Sequence, residues 1–210
     1  MSAIFSKDRR HRYTLARMIR NTEPERGNTV LFVCLNPSTA DEVRDDPTVR
    51  RCVGYAKRWG FSRLVVCNIF ALCSTDPRAL YHHPDPIGKD NDYHLLEETI
   101  RADRVVAAWG AHGGHKLRGA TVLQMLLELK REVHMLGQTK DGHPRHPLYL
   151  RADTKPTRLR RLRASARGAG ATGSSRAPVA ASAGRACPSA SSHDSVERHR
   201  RTHPPRSALR

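Results

Sequence analysis

The amino-acid sequence predicts an α/β fold: a three-layer α/β/α sandwich on a mostly parallel sheet of four or slightly more strands. Three observations lead to this prediction. Four short apolar runs alternate with helical patterns along the chain, which is the order of a βαβ architecture with right-handed crossovers. The runs lack polar alternation, as strands buried on both faces do. Each run also ends at an Asn or a Gly.

The first elements are expected in the segment 9–21 and in the apolar run 29–35. The periodicity of the first segment fits either an edge strand, with Tyr13 and Leu15 facing inward, or a basic helix. The second segment, TVLFVCL, is apolar almost throughout and stops at a polar loop that begins with Asn36. We therefore expect a buried strand that carries this loop to one edge of the sheet.

A helix is expected to begin at Pro47. Asp46 suits the N-cap, proline is favoured at the first helical position, and apolar side chains recur at helical spacing until Gly60. The apolar run 63–68 (RLVVCN) that follows predicts a second strand. Like the first strand, it ends at an asparagine.

The remaining elements alternate in the same way. Residues 76–88 carry three prolines and two adjacent histidines, which predicts an irregular surface segment of the kind that often covers a site. Helical spacing and short apolar runs then predict helices over 90–102 and 115–131 and strands over 104–109 and 132–137.

Charge and composition separate a tail, 163–210, from a single domain expected over 1–162. Residues 1–150 hold 23 Lys+Arg against 17 Asp+Glu (+6), and residues 151–210 hold 14 against 3 (+11), which together give the chain's +17. The tail is rich in Ala, Ser, Gly and Arg without any aromatic residue. Such a segment buries too little apolar surface to offset its ordering entropy, so disorder is expected. A basic arm for nucleic acid is the functional alternative.

Cysteine usage and hydropathy bear on the compartment. The five cysteines are an odd number without a CxxC pair, which is typical of a reducing environment. No apolar stretch approaches the roughly 18 residues that cross a membrane, and no signal peptide is evident. We expect a soluble cytoplasmic protein, with no membrane contact and no evident protein partner.

Polar residues follow the predicted strands at the points where the strands end. In a parallel sheet these ends share one edge, so Asn36, Asn68, Gly110 and the loop 143–149 should lie together. An asparagine can hold a water molecule or pair with the edge of a planar ligand, and a neutral histidine can donate to a developing oxyanion. Alternatively, each asparagine caps the next turn and the loop histidines are incidental.

Motifs of several other chemistries are missing. No HExxH, paired CxxC, GxxxxGK[ST] or GxSxG motif occurs, and no GxGxxG follows the first strand. Zinc-hydrolase, P-loop, serine-hydrolase and dinucleotide chemistry are therefore disfavoured. The histidines at 82, 83, 112 and 115 are weak evidence for a metal site. No metal and no cofactor are expected.

Five motifs between about residues 28 and 153 resemble a bacterial and phage family catalogued as a domain of unknown function (number 1643). They are LNPSTAD, DDPTVRRC, NIFA, AWG and HPLYL. The resemblance covers most of the predicted domain. By itself it implies no activity.

The same landmarks, in the same order, resemble the uracil-DNA glycosylase superfamily. In that superfamily the first strand ends in a motif with Asp or Asn near Pro, a later strand ends in an Asn that reads the base, a third ends in Gly, and a late loop carries His-Pro. The matching positions here are Asn36-Pro37, Asn68, Trp109-Gly110, and either His143-Pro144 or His146-Pro147.

Two departures from the superfamily pattern bear on the site. Leu35 stands where a glycine usually opens the first motif, which leaves the backbone less room. The late loop offers two histidines, and the stretch 146–151 (HPLYLR) resembles the thermostable branch better than His143 does. That branch's iron–sulfur cysteines have no convincing equivalents in this chain.

The resemblance implies a role for each matched residue. Asn68 would read the base edge, Asn36 would position the attacking water, and His146, or else His143, would stabilise the anion on the departing base. Enzymes of this type rotate a nucleotide out of the duplex at a cost of roughly a few kcal/mol. The other candidates are Pro37, Ser38 and Phe70 around the base and Arg44, Arg50, Arg51 and Arg145 at phosphates.

Three functions follow as hypotheses. The first is a glycosylase-like protein that recognises a base in nucleic acid or a nucleotide derivative and hydrolyses an N-glycosidic bond. The second is a non-catalytic nucleic-acid-binding or phage accessory module of the same fold. The third is an enzyme acting on a small nucleoside or nucleotide, because a net charge of +6 over residues 1–150 is modest for a dedicated duplex binder.

Overall fold

The computed structural model describes residues 1–19 and 28–159, in which short strands and helices alternate. The predicted tail 163–210, with Cys187, lies outside these residues. The elements in chain order are β1 (Ser2–Phe5), β2 (Arg12–Met18), β3 (Thr29–Cys34), α1 (Pro47–Arg58), β4 (Arg63–Asn68), α2 (Ala79–His82), α3 (Asn91–Arg101), β5 (Arg104–Ala107), α4 (Arg118–Glu128), β6 (Val133–Met135) and β7 (Thr157–Arg158), with 3-10 helices at Ala111–Leu117 and Pro147–Tyr149.

The described strands form one seven-stranded sheet in the order β1-β2-β4-β3-β5-β6-β7. The strands of the four apolar runs, β4, β3, β5 and β6, are adjacent and parallel, as predicted. The other three are antiparallel to their neighbours. The prediction of a mostly parallel sheet is therefore wrong: the fold is α/β with a mixed sheet.

The sequence pattern gives little indication of the three antiparallel strands. β1 has four residues and β7 has two, too few to show a period. β2 lies between β1 and β4, so it is neither the edge strand nor the basic helix considered for this segment. Its Tyr13 and Leu15 are buried as predicted, but Arg12 and Arg17 are buried as well. Buried arginines are rare, and they obscure the apolar pattern of β2.

Hydrophobic cores lie on both faces of the sheet. On one face Phe32 and Val66 pack with side chains of α1 such as Tyr55. On the other face, core residues of β3, β4 and β5 pack with Leu95 of α3 and Leu126 of α4. All six residues of β3 are buried, which accounts for its unbroken apolar run. With both faces covered, the ends of the strands and their loops are the places left for a site.

Local signals in the sequence and backbone determine where α1 and α4 begin. The Asp46 carboxylate accepts a hydrogen bond from the Val49 amide at 2.8 Å, so Asp46 is the predicted N-cap. α4 begins at Arg118, not at 115 as predicted, because Lys116 and Leu117 have positive φ angles of 50° and 56°. Left-handed backbone at two successive residues interrupts a helix. Within the described residues, every helix is too short or too polar to cross a bilayer.

Candidate functional site

A cleft of about 590 Å³ lies beyond the carboxyl ends of β3 and β5. Four predicted site residues line it: Asn36, Ser38, Arg145 and His146. Its other walls come from the start of α1, the segment after β4, the turn after β5 and the loop after β6. These further lining residues are Leu35, Pro47, Thr48, Ser74, Thr75, Pro77, Trp109, Gly110, Ala111, His112, Thr139, Leu148 and Tyr149.

Asn36 joins two of these walls through its side chain. The Asn36 Nδ2 group donates to the carbonyl oxygens of Pro37 at 2.9 Å and Ser74 at 2.8 Å, and the Ser74 amide donates to the Pro37 carbonyl at 2.9 Å. Among the described residues, Asn36 Oδ1 has no donor. Asn36 therefore holds the loop in place with its amide nitrogen and offers the cleft one acceptor oxygen.

His146 contributes a neutral imidazole. Its Nδ1 accepts a hydrogen bond from the Leu148 amide at 3.4 Å, so the ring proton belongs on Nε2. Burial lowers the pKa of His146 to about 4, although the nearby charge of Asp46 acts in the opposite direction. Near pH 7 the side chain is therefore an uncharged hydrogen-bond donor through Nε2.

Gly110 brings the end of β5 against the late loop. Its φ of 73° and ψ of −170° fall in a region that essentially only glycine occupies. The Gly110 amide donates to the Pro144 carbonyl at 2.7 Å, and a Cβ at this position would lie 3.4 Å from the Cβ of His146. The preceding Trp109 is buried, and its Nε1 has no hydrogen-bond partner in the described residues. The Trp-Gly turn thus forms one wall beside His146.

Asn68 lies outside the cleft. It is 1% exposed, its Oδ1 accepts from Arg12 Nη2 at 3.4 Å, and its carbonyl accepts from Asn91 Nδ2 at 3.0 Å. The sheet register explains this position, because Asn68 pairs with Cys34. Asn36 therefore lies two residues beyond the level of Asn68, in the direction in which β3 and β4 run.

Three more predicted site residues are not exposed to the cleft. Phe70 is fully buried in the core, with its ring centroid 5.8 Å from that of His115. Pro37 is also buried. His143 lines a separate cavity of about 590 Å³ beside α4, to which Trp109 also contributes. Of the two late histidines, His146 is the one that shares a cleft with Asn36.

The four predicted phosphate-binding arginines lie at three places. Arg145 is exposed at the cleft. Arg50 and Arg51 line a shallow groove on α1, next to the cleft. Arg44 is exposed and lines neither. None of the four forms an ion pair within the described ranges, so their charges are available to an anionic ligand.

Two buried arginines that the sequence pattern did not single out hold the loop after β3. Arg12 Nη1 donates to the Ala40 carbonyl at 2.8 Å. Arg17 donates to the Asp41 carbonyl at 2.6 Å and pairs with Asp45 at 2.8 Å. Burial lowers the pKa of Arg12. The sequence signal for these arginines was that both lie in the segment 9–21, for which a strand was one of the two predictions. Nothing in the pattern distinguished them from arginines at the protein surface.

The cleft residues themselves include no Asp, Glu or Cys. In the described part of the chain, no group of three or more His, Cys, Asp and Glu side chains is arranged to hold a metal ion. His112 at the cleft mouth instead shares a hydrogen bond with the Tyr81 hydroxyl at 2.9 Å. The arrangement can bind a polar ligand through amide, hydroxyl and imidazole groups.

The fold and site define an α/β protein with a polar cleft at the carboxyl edge of its parallel strands. A family model described as "Protein of unknown function (DUF1643)" matches residues 12–148. The match runs from β2 through the His146 loop and covers more than half of the chain, so the chain belongs to this family, as its motifs predict. No curated protein and no solved structure gives a significant match.

Proposed function

We propose that the cleft binds a nucleobase and that the protein is a glycosylase-like hydrolase with the three-layer fold of the uracil-DNA glycosylase superfamily. One observation carries the proposal: two groups line one cleft of about 590 Å³. They are Asn36 Oδ1, an acceptor with no donor among the described residues, and the neutral donor His146. α1 on one face of the sheet and α3 and α4 on the other are consistent with the three-layer arrangement.

The cleft has the size and chemistry for a base. Small-molecule sites commonly occupy about 300–1,000 Å³ and combine apolar walls with a few polar groups. Trp109 and Leu35 supply apolar wall, and Ser38 supplies a hydroxyl. Tyr149 is 75% exposed at the cleft, with its ring centroid 5.8 Å from that of His146. An exposed aromatic ring at that place is suited to stacking on a base.

The reaction requires two groups with different roles: one stabilises the departing base and one positions the attacking water. Water attacks the anomeric carbon, the bond from that carbon to the base nitrogen breaks, and its electron pair leaves with the base. The proton lost by the attacking water passes to solvent, and the released base takes up a proton from solvent. A neutral His146 donates a hydrogen bond to the oxygen where the base's negative charge accumulates. Asn36 Oδ1 accepts a hydrogen bond from the attacking water. Asn68 would have to leave Arg12 to read the base, so we assign it instead to positioning Arg12 and the loop.

Base release from oligonucleotides tests the proposal. Purified protein is incubated with single and double strands carrying uracil, hypoxanthine or other altered bases, and released bases are quantified. Asn36→Ala and His146→Ala are each expected to lower kcat by about 10²-fold or more, in line with the loss of one such group. His143→Ala is the matched control, because His143 lines a different cavity. The proposal is wrong if no base is released and neither variant changes binding.

A second candidate is a nucleic-acid-binding module without catalysis. It is favoured by the lack of any carboxylate among the cleft residues, which leaves the attacking water without a general base. This candidate predicts no turnover and an affinity that falls linearly with salt on logarithmic axes. Deleting residues 163–210 separates the contribution of that basic segment. If binding disappears with that segment alone, the cleft is not the nucleic-acid site.

A further inference from the structure

A shallow groove of about 420 Å³ runs along α1, immediately beside the cleft. The groove and the cleft share Pro47 and Leu148. A molecule held in the cleft can therefore extend past these two residues toward α1. The groove is lined by Pro47, Arg50, Arg51, Gly54, Tyr55, Arg58, Leu148 and Ala152.

Gly54 forms part of the floor of this groove although the fold does not require a glycine there. A Cβ on Gly54 would meet no atom within 4 Å. Glycine in the middle of a helix costs roughly 0.5–1 kcal/mol relative to alanine. Because residue 54 has no side chain, the helix backbone is open between Arg50 and Arg58, which lie one turn to either side.

Two of the three arginines of the groove donate hydrogen bonds to carbonyl oxygens. Arg50 Nη1 donates to the Asp45 carbonyl, and Arg58 Nη1 donates to the Ala152 carbonyl. Neither contact neutralises the guanidinium, and Arg51 has no anionic partner in the described ranges. Three cationic groups thus line one groove, and none of them forms an ion pair within the described ranges.

Three carboxylates close in sequence to residues of the groove have other partners. Asp45 pairs with Arg17, Asp46 is buried and caps α1, and Asp153 pairs with Arg151 at 3.2 Å. Hydrogen bonding to Arg151 and, to a smaller extent, the charge of Arg58 lower the pKa of Asp153. Anions that enter the groove would therefore meet three guanidinium groups and one nearby carboxylate, Asp153, that already has a partner. Guanidinium groups held in this way suit phosphate oxygens, which they bind through paired hydrogen bonds.

We propose that the α1 groove seats backbone phosphates of a single nucleic-acid strand whose base occupies the cleft. The inference rests on the proposed function and narrows it: the substrate is a polymer, and a free nucleoside lacks the phosphates that the groove recognises. The groove holds the strand beside the cleft, while Asn36 positions the attacking water and His146 donates to the base.

The test is fluorescence anisotropy of the full-length protein with a labelled 12-nucleotide oligothymidylate. Gly54→Glu places a carboxylate on the groove side of α1, where the added Cβ would meet no atom within 4 Å. We expect at least a tenfold weaker affinity and a shallower salt dependence. Thr121→Glu, an exposed position on α4, makes the same change of net charge on another helix and is expected to bind as the wild type. Circular dichroism melting verifies that both variants fold.

Two results separate failure of the groove from failure of the proposed function. If Gly54→Glu binds the strand as tightly as the wild type while His146→Ala does not, the groove assignment is wrong and the cleft proposal stands. If Gly54→Glu weakens binding but the cleft variants neither bind nor react differently from wild type, the groove binds the strand and the cleft proposal is wrong. If Thr121→Glu weakens binding as much as Gly54→Glu does, the groove assignment is wrong, because the change of net charge alone would then explain the lower affinity.

Discussion

His146 illustrates how one side chain receives its chemistry from its surroundings. Its ring nitrogen accepts from the Leu148 amide, and Gly110 packs against its Cβ position. Burial keeps the ring uncharged, which fixes it as a donor through Nε2. A histidine in an ordinary exposed loop would titrate near pH 6.5 and alternate between roles.

Replacing His146 with Gln is expected to reduce the pH dependence of the unfolding free energy. The folded-state pKa is about 4, whereas the unfolded chain has an ordinary value near 6.5. As the pH falls through this window the unfolded state binds more protons, so wild-type stability is lost. The loss is at most about 3 kcal/mol, and solvent at the partly exposed ring reduces it. Urea unfolding from pH 7.5 to 4.5 measures it.

His82→Gln serves as the control for this experiment, because His82 is an exposed histidine. It should retain the wild-type pH dependence. If His146→Gln shows the same slope as wild type, the His146 ring is protonated as easily in the folded protein as in the unfolded chain. Its assignment as a neutral donor would then fail.

At the scale of elements, α1 serves both regions of the proposed site. Its first residues, Pro47 and Thr48, line the cleft, and the side chains of its next turns line the groove. α4 serves the site through Trp109, which packs against the start of that helix. A Cβ at Gly119 would lie 2.7 Å from Trp109 Nε1 and 2.8 Å from the Gly113 carbonyl oxygen.

The two helical glycines should therefore respond to alanine in opposite directions. Gly119→Ala is expected to lower the unfolding free energy by about 1–3 kcal/mol, as overpacking does. Gly54→Ala, which meets open space, should raise it by roughly 0.5–1 kcal/mol. Chemical denaturation of the two variants beside wild type measures both. A stabilised Gly119→Ala would mean that Trp109 is not packed against α4 as described.

At the scale of the whole molecule, the sheet divides the core into two layers that bury cysteines on both sides. Cys34 and Cys52 belong to the α1 side, and Cys67 belongs to the side of α3 and α4. Burial raises the pKa of Cys52 and Cys67, and also that of Cys73, so exposure is what distinguishes Cys73 from the buried thiols. A raised pKa and a closed environment both suppress thiol alkylation.

Alkylation with iodoacetamide, read by peptide mass spectrometry, should therefore report global unfolding. In the native protein Cys73, which is partly exposed, should react before Cys34, Cys52 and Cys67. With increasing urea these three should become reactive at one midpoint, because a single cooperative domain exposes both layers together. Different midpoints for the two sides of the sheet would contradict a single cooperative unit. The Cys73→Ser variant should lack the first alkylation signal, which assigns that signal to Cys73.

Features that depend on neighbouring residues were predictable from the sequence. The four apolar runs became adjacent parallel strands, because burial on both faces requires apolar residues at every position of β3. Asp46 and Pro47 marked the start of α1, because capping is a contact between residues three apart. Asn36 and His146 were likewise visible as polar residues at the end of a strand and in a late loop.

Features that depend on pairing between distant segments were decided only by the tertiary structure. β1, β2 and β7 are strands because of their partners, and buried Arg12 and Arg17 mask the pattern of β2. Register sets Asn68 level with Cys34 and so removes it from the cleft, and packing directs His143 and His146 to different cavities. The sequence by itself determined which residues end the parallel strands. Which of them meet was decided by register and long-range packing, because neither leaves a local pattern in the chain.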